Sequence, residues 1–489
     1  MHEWWREAVV YQIYPRSFQD SDGDGLGDLR GITARLDDLQ ALGVDALWLS
    51  PMYPSPFADG GYDIADFTGV DPRLGSVADV VDLAAQAHAR DMRLLLDLVP
   101  NHTSIAHPWF REHPDRYVWA DAPANNWRAA FGGPAWSRDR VTGRTYLHSF
   151  YPEQPDLDWR NPAVPAAMQE VVRTWLGRGV DGFRIDAIDR LGKHPDLLDE
   201  PPARVPPAFP ETPDSAALEH RYSRNFTPAL DPALAALRAA AGDAFLVGEV
   251  YLPTQGLAPY LAHLSSAFVF ELLFAPWRAD VIGEVIARGS RLEHPAWMLS
   301  NHDFSRAGSR IGEHNLPAAA LLLLTLPGTV FLYQGDEIGL LDGPDGDPPE
   351  DRYGRDRYRH PMQWDAGRNG GFTTATPWLA TIDPARRNVA DQRADPGSLY
   401  SLHRRLIELR RGLRGGLDLV AAHPEGLLAY RRGDVLVALN LGEDPVAVAA
   451  HIPIGIHGGC QLGEVLLATP GAGAGAVLEP GSGAIFRTG

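Results

Sequence analysis

One cysteine, Cys460, stands in 489 residues. A single thiol excludes an internal disulfide framework and leaves too few thiolates for a zinc or iron–sulfur centre. Lysine is as scarce: Lys193 is the only one, so almost all positive charge is carried by arginine. Acidic residues outnumber basic ones and the formal net charge is −19. Nucleic acid and anionic membrane both select a basic footprint, so neither is an expected partner. Long apolar runs are also missing. The longest, Leu316 to Tyr333, is broken by Pro317, Pro327 and Gly328, which suits a buried helix and strand rather than a membrane span. Met1-His-Glu-Trp-Trp carries no basic start leading into an apolar stretch, so a cytoplasmic protein is expected. Glycine and proline, at 49 and 41, are abundant without reaching low complexity.

Eight short apolar runs punctuate the chain, most followed by a helical pattern. They are Val9 to Tyr14, Asp45 to Leu49, Arg93 to Leu98, Val180 to Ile185, Ala244 to Glu249, Ala267 to Leu272, Ala296 to Ser300 and Thr329 to Tyr333. Continuous rather than alternating apolar strands imply burial on both faces, as in a parallel sheet. Eight strand-then-helix units predict an α/β fold, a (β/α)8 TIM barrel. Two connections are far longer than the usual few residues. Residues 103–160, rich in Trp, Pro, Asn and Gly, are expected to form an inserted domain after strand three. Leu340 to Trp378 is too polar and too broken to be an element. From residue 412 the pattern changes to short β-prone runs between Gly and Pro turns: Leu427 to Arg431, Val435 to Asn440, Val446 to Ile454 and Gly483 to Arg487. They predict a C-terminal antiparallel β-sandwich over 412–489, with Pro470 to Val477 as a loop. The barrel would then comprise 1–102 and 161–411.

Strand-to-helix loops rise from the barrel face that carries active sites. Strand three ends Asp97-Leu-Val-Pro-Asn-His102 and strand four reads Gly182-Phe-Arg-Ile-Asp186; strand five ends Val247-Gly-Glu-Val250 and strand seven Ser300-Asn-His-Asp303. Carboxylates, histidines and an arginine therefore converge on one mouth. Arg184 and Asp186, two apart on a strand, share a face, and the cation is expected to keep Asp186 ionised.

DLVPNH, GFRIDAID, VGEV and SNHD, in that order, resemble the four sequence regions of the α-amylase family, glycoside hydrolase family 13. GYDIADF (61–67), FGGPAW (131–136), QPDLDW (154–159), GTVFLYQGDEIG (328–339) and RHPMQWD (359–365) resemble its oligo-1,6-glucosidase and α-glucosidase subgroup. The resemblance implies Asp186 as nucleophile, Glu249 as general acid/base and Asp303 as the third carboxylate. Retaining glycosidases need one ionised and one protonated carboxylate about 5–5.5 Å apart. Glu249, with no adjacent cation in sequence, is expected to have a raised pKa. Tyr62, Asp63, His102, Arg184, His302 and Arg359 are expected to hold the sugar. Ala187, where the subgroup places Val in enzymes that cut α-1,6 bonds, points to α-1,4-linked maltose and short malto-oligosaccharides. Trehalose synthase or sucrose isomerase chemistry is the rival outcome of the same glucosyl-enzyme. Small oligosaccharides are the expected partners, and monomer and homodimer are equally compatible with the sequence.

After strand one, Asp20-Ser-Asp-Gly-Asp-Gly-Leu-Gly-Asp28 imitates an EF-hand start, but position twelve is Gly31 rather than Glu. Asp20, Asp22, Asp24 and Asp28 would repel one another without a hard cation, and the Leu26 carbonyl is a further candidate ligand. The resemblance implies a structural Ca2+ here, or Mg2+ in its place, and no organic cofactor.

Overall fold

The computed structural model describes residues 3–423, 425–448, 462–472 and 477–488. All eight expected runs supply strands of one closed parallel barrel. In chain order its strands are β1 (Val9–Ile13), β2 (Ala46–Leu49), β3 (Arg93–Leu98), β7 (Gly182–Ile185), β8 (Phe245–Gly248), β9 (Ser266–Phe268), β10 (Pro295–Met298) and β11 (Thr329–Tyr333). The ring closes where β1 pairs with β11 on one side and β2 on the other.

The alternation of side chains along each strand, with both faces buried, explains why these runs are largely apolar. Val10, Trp48, Leu95, Val247, Phe268 and Phe331 meet inside the barrel, while Val9, Leu47, Leu96, Phe183 and Leu246 pack outward with the surrounding helices. Phe183 and Ile185 of β7 point outward, so Arg184 between them points in. The sixth strand is shorter than expected. It ends at Phe268, and the rest of the run belongs to the helix Phe270–Phe274, because a buried helix turn and a buried strand have the same composition.

Three strands, β4 (Trp119–Ala120), β5 (Trp136–Arg138) and β6 (Thr145–Leu147), form a small antiparallel sheet between β3 and β7. Val118, Trp127, Trp136 and Leu147 give it a core of its own. Its connection to the barrel includes Lys193, whose Nζ reaches Asp156 Oδ2 at 3.0 Å and Asn101 Oδ1 at 2.8 Å. A third long connection, not expected from the sequence, follows β7. Residues 186–226 run through only short turns of helix, Ile188–Leu191 and Pro213–Ala216, before Thr227–Ala241 begins.

Beyond the barrel, β12 (Leu417–Ala422), β13 (Leu427–Arg432), β14 (Val435–Asn440), β16 (Leu462–Ala468) and β18 (Gly483–Thr488) form an antiparallel sheet in the order β12-β13-β14-β18-β16. A two-stranded sheet, β15 (Val446–Ala447) with β17 (Val477–Leu478), faces it across Leu436, Ala438, Val448 and Leu478. The run expected over Val446 to Ile454 yields only β15, and its later part, Cys460 and part of the Pro470 to Val477 loop lie outside the described residues. Arg432, fully buried, ties this sheet to the barrel by donating to the carbonyls of Thr325 and Leu326 and pairing with Glu7. Among the described residues no helix is long and apolar enough to cross a membrane.

Candidate active site

Arg184 is the inward residue near the C-terminal end of β7, opposite Asp97 of β3 in the strand register. Its Nη1 lies 2.6 Å from Asp97 Oδ1 and 2.6 Å from Asp186 Oδ1, and its Nη2 lies 2.6 Å from Glu249 Oε1. One guanidinium thus joins three carboxylates from three adjacent strands. Its flat face lies over Trp48 and Tyr62 at 5.3 and 5.6 Å from the ring centroids. Trp48 Nε1 and Tyr62 Oη complete the shell by donating to Asp97 Oδ2, each at 3.1 Å.

This arrangement corrects two expectations. Glu249 is not without a cation, because Arg184 reaches it across the sheet, and the Ala187 amide and Tyr251 hydroxyl also donate to it at 3.0 and 3.1 Å. And Arg184, expected to keep Asp186 ionised, is shared with Asp97 and Glu249. Burial pushes the Asp186 pKa well up, and the facing Glu249 and Asp97 charges add to that against the opposing pull of Arg184. Burial likewise pushes Asp97 up to about 6 despite Arg184. Three buried carboxylates thus share a single cation.

Asp303 is treated differently. Burial alone would raise its pKa, but His302, Arg355 and Arg359 overcome that and hold it well below the usual carboxylate range. Arg355 Nη1 and Arg359 Nη2 lie 3.1 and 3.2 Å from Asp303 Oδ1. Burial pushes His302 down to about 3 and His102 down to about 4, so both are neutral near pH 7 and the two guanidiniums carry the stabilisation of Asp303. Tyr62 stacks on His302 with centroids 5.5 Å apart, and its hydroxyl is 2.7 Å from His302 Nε2.

These groups border a cavity of about 290 Å³. Asp186, Glu249, Asp303, Tyr62 and His102 line it, while Arg184, His302 and Arg359 stand behind that lining. Asp63 does not reach it. Its carboxylate accepts from Ser55 Oγ and the amides of Ala58 and Asp59 at 2.8, 3.0 and 3.1 Å, and burial raises it to about 6. Asp63 braces the loop, and the carboxylate that this loop turns to the cavity is Asp59. Asp59 pairs with Arg355, which also holds Asp351 and Asp303. Neither residue is singled out by the sequence. Asp59 lies three residues before Tyr62, and Arg355 one helical turn before Arg359. The wall is completed where Phe131 of the inserted segment meets Tyr353 of the segment after β11, with centroids 4.8 Å apart.

At the loop after β1, Asp20, Asp22 and Asp28 each offer an oxygen within 4.8 Å of the others. Asp24 is not part of the group; its carboxylate accepts from the Leu26 amide at 2.7 Å. Asp20 is held by the amides of Gly23 and Gly25, and Asp28 by those of Ser21 and Gly31. The donors are all oxygen and fixed by backbone, a set that suits a hard cation.

Residues 12–414 match the model of the α-amylase catalytic domain. The chain belongs to the α-amylase family. This glycoside hydrolase is 39% identical to a probable α-glucosidase of Rhizobium meliloti (strain 1021), over 84% of this chain and 83% of the relative. It is 36% identical to an oligo-1,6-glucosidase of Parageobacillus thermoglucosidasius, over 88% of each. Among solved structures, an α-glucosyl transfer enzyme, XgtA, superposes with a TM-score of 0.90 at 36% identity over 99% of both chains.

The neutral histidines make stability depend on pH. A histidine whose folded pKa is depressed contributes stability that is full above its unfolded value, near 6.5, and is lost as pH falls toward its folded value. Between pH 7 and pH 5, His102 and His302 are each expected to remove about 2 kcal/mol. Denaturant melts of His102→Asn and wild type at both pH values check this: the variant should show the smaller loss, and equal losses would contradict it.

Proposed function

We propose that this member of the α-amylase family is a retaining, exo-acting α-glucosidase. Its substrate is the terminal, α-1,4-linked glucose of maltose and short malto-oligosaccharides. The reading rests chiefly on the Arg184 bridge. Oxygens of Asp186 and Glu249 held on the two terminal nitrogens of one guanidinium are compatible with the carboxylate separation of about 5–5.5 Å that retention requires.

In the first step the Asp186 carboxylate attacks C1 as the bond from C1 to the aglycone oxygen breaks, and Glu249 gives its proton to that oxygen. In the second, Glu249 takes a proton from water, whose oxygen bonds to C1 as the bond to Asp186 breaks. Asp303, kept ionised by two arginines, accepts hydrogen bonds from sugar hydroxyls, and Tyr62 offers an apolar face to the ring.

Exo action is favoured because the Asp59–Arg355 ion pair and the Phe131–Tyr353 contact border the cavity, which suits a chain end better than a chain interior. Ala187, at the cavity beside Glu249, leaves space on the aglycone side and supports the α-1,4 preference. A largely aromatic wall, with Phe150, Phe209 and Phe304, limits water there and favours transfer of glucose to a second sugar at high sugar concentration. Asp20, Asp22 and Asp28 would hold a structural Ca2+, neutralising charges otherwise pressed together.

Proton NMR during maltose hydrolysis tests the chemistry: α-glucose should accumulate first, and β-glucose first would overturn retention. A product chromatogram from maltose or sucrose checks the outcome, since an isomer without free glucose would replace hydrolysis with isomerisation. For the metal, chelation should lower Tm and elemental mass spectrometry should find calcium; an unchanged Tm with no metal would remove the site.

A further inference from the structure

The segment after β7 brings Arg190, Arg224, Glu211 and Ser215 to the cavity wall. Arg190 follows one turn after Ala187, with its amide donating to the Ala187 carbonyl at 3.0 Å. The Ala187 amide in turn holds Glu249. Arg190 therefore stands on the side where the leaving group receives its proton.

The two arginines are partnered very differently. Arg224 pairs with Glu211, whose carboxylate also takes the Ser215 hydroxyl at 2.8 Å and lies 3.2 Å from His220 Nε2. That carboxylate is saturated by its own neighbours. The Arg190 guanidinium, with its side chain only 9% exposed, comes no nearer to a carboxylate than 3.8 Å, from Nε to Asp189 Oδ2. Among the described residues no protein acceptor takes a hydrogen bond from it, and its other neighbour is the ring of Phe150, with the centroid 5.7 Å from Cζ. Arginine stays charged at any working pH. The guanidinium opens on the cavity with no protein acceptor there among the described residues, and Arg224 adds a like charge beside it, so the pair favours an anion. The group that fits is an oxyanion, which accepts two parallel N–H bonds from the planar fork.

We propose that the aglycone side of the cavity selects α-glucosides whose leaving group carries an oxyanion, a phosphate or a carboxylate, through the terminal nitrogens of Arg190. Asp189 lies nearest to Nε, at 3.8 Å, and Arg190 borders the cavity. The proposal rests on the α-glucosidase reading and narrows its substrate class.

Two matched pairs test it: trehalose 6-phosphate against trehalose, and α-glucosylglycerate against α-glucosylglycerol. Turnover of 4-nitrophenyl α-glucoside reports the parent activity separately. At least one anionic member should exceed its neutral partner in kcat/KM by about 10-fold or more, and which pair does so identifies phosphate or carboxylate. Arg190→Gln should collapse that ratio toward one, and Arg190→Lys should keep part of it as a point charge. No anionic preference in either pair, with aryl glucoside still cleaved, overturns the proposal alone. An Arg190→Gln variant that loses anionic and neutral turnover equally assigns the residue a structural role and also overturns it. If no α-glucoside is cleaved, the parent reading fails and takes this one with it.

Discussion

One buried guanidinium organises this active site. Arg184 holds Asp97, Asp186 and Glu249 at the same 2.6 Å, and the barrel supplies the three carboxylates from neighbouring strands. Removing Arg184 would leave three buried carboxylates without compensation. Around that one cation, burial and the facing Glu249 and Asp97 charges push Asp186 up against the pull of Arg184. Asp303 has the opposite environment, with two arginines that hold it well below the usual carboxylate range.

The fold makes this possible by a change in what points inward along each strand. Lower in the barrel the inward positions are apolar, with Val10, Leu95 and Phe331 in contact; toward the C-terminal ends they become Asp97 and Arg184. Long connections then enclose that polar end. The inserted three-stranded sheet, the segment after β11 and the segment after β7 each contribute to the wall, and Lys193 links the first to the barrel through Asp156 and Asn101. A sequence with one lysine has placed it at that junction.

The barrel was legible in the sequence because strands buried on both faces are apolar at most positions and recur eight times with helical patterns between them. The limits of legibility have specific causes. The run through Leu272 mixes strand with helix, and composition cannot separate them once both are buried. Asp59 and Asp63 are four residues apart, and only the turn between them decides that one faces the cavity while the other accepts loop amides. Arg355 and Arg359 differ by one helical turn. The link from Arg184 to Glu249 spans 65 positions and exists only through strand register. Asp24 looks equivalent to its neighbours in sequence, but its carboxylate lies outside the group that Asp20, Asp22 and Asp28 form. The connection after β7 has no distinguishing mark in the sequence, because its Pro-rich stretch resembles any other loop, although it carries Arg190.

The central claim is that Asp186 forms the covalent bond to glucose while Glu249 handles the proton. Trapping with 5-fluoro-α-glucosyl fluoride, followed by peptide mass spectrometry, tests it most directly. The account predicts a single glucosyl adduct on Asp186; an adduct on Glu249 or Asp303 would contradict it.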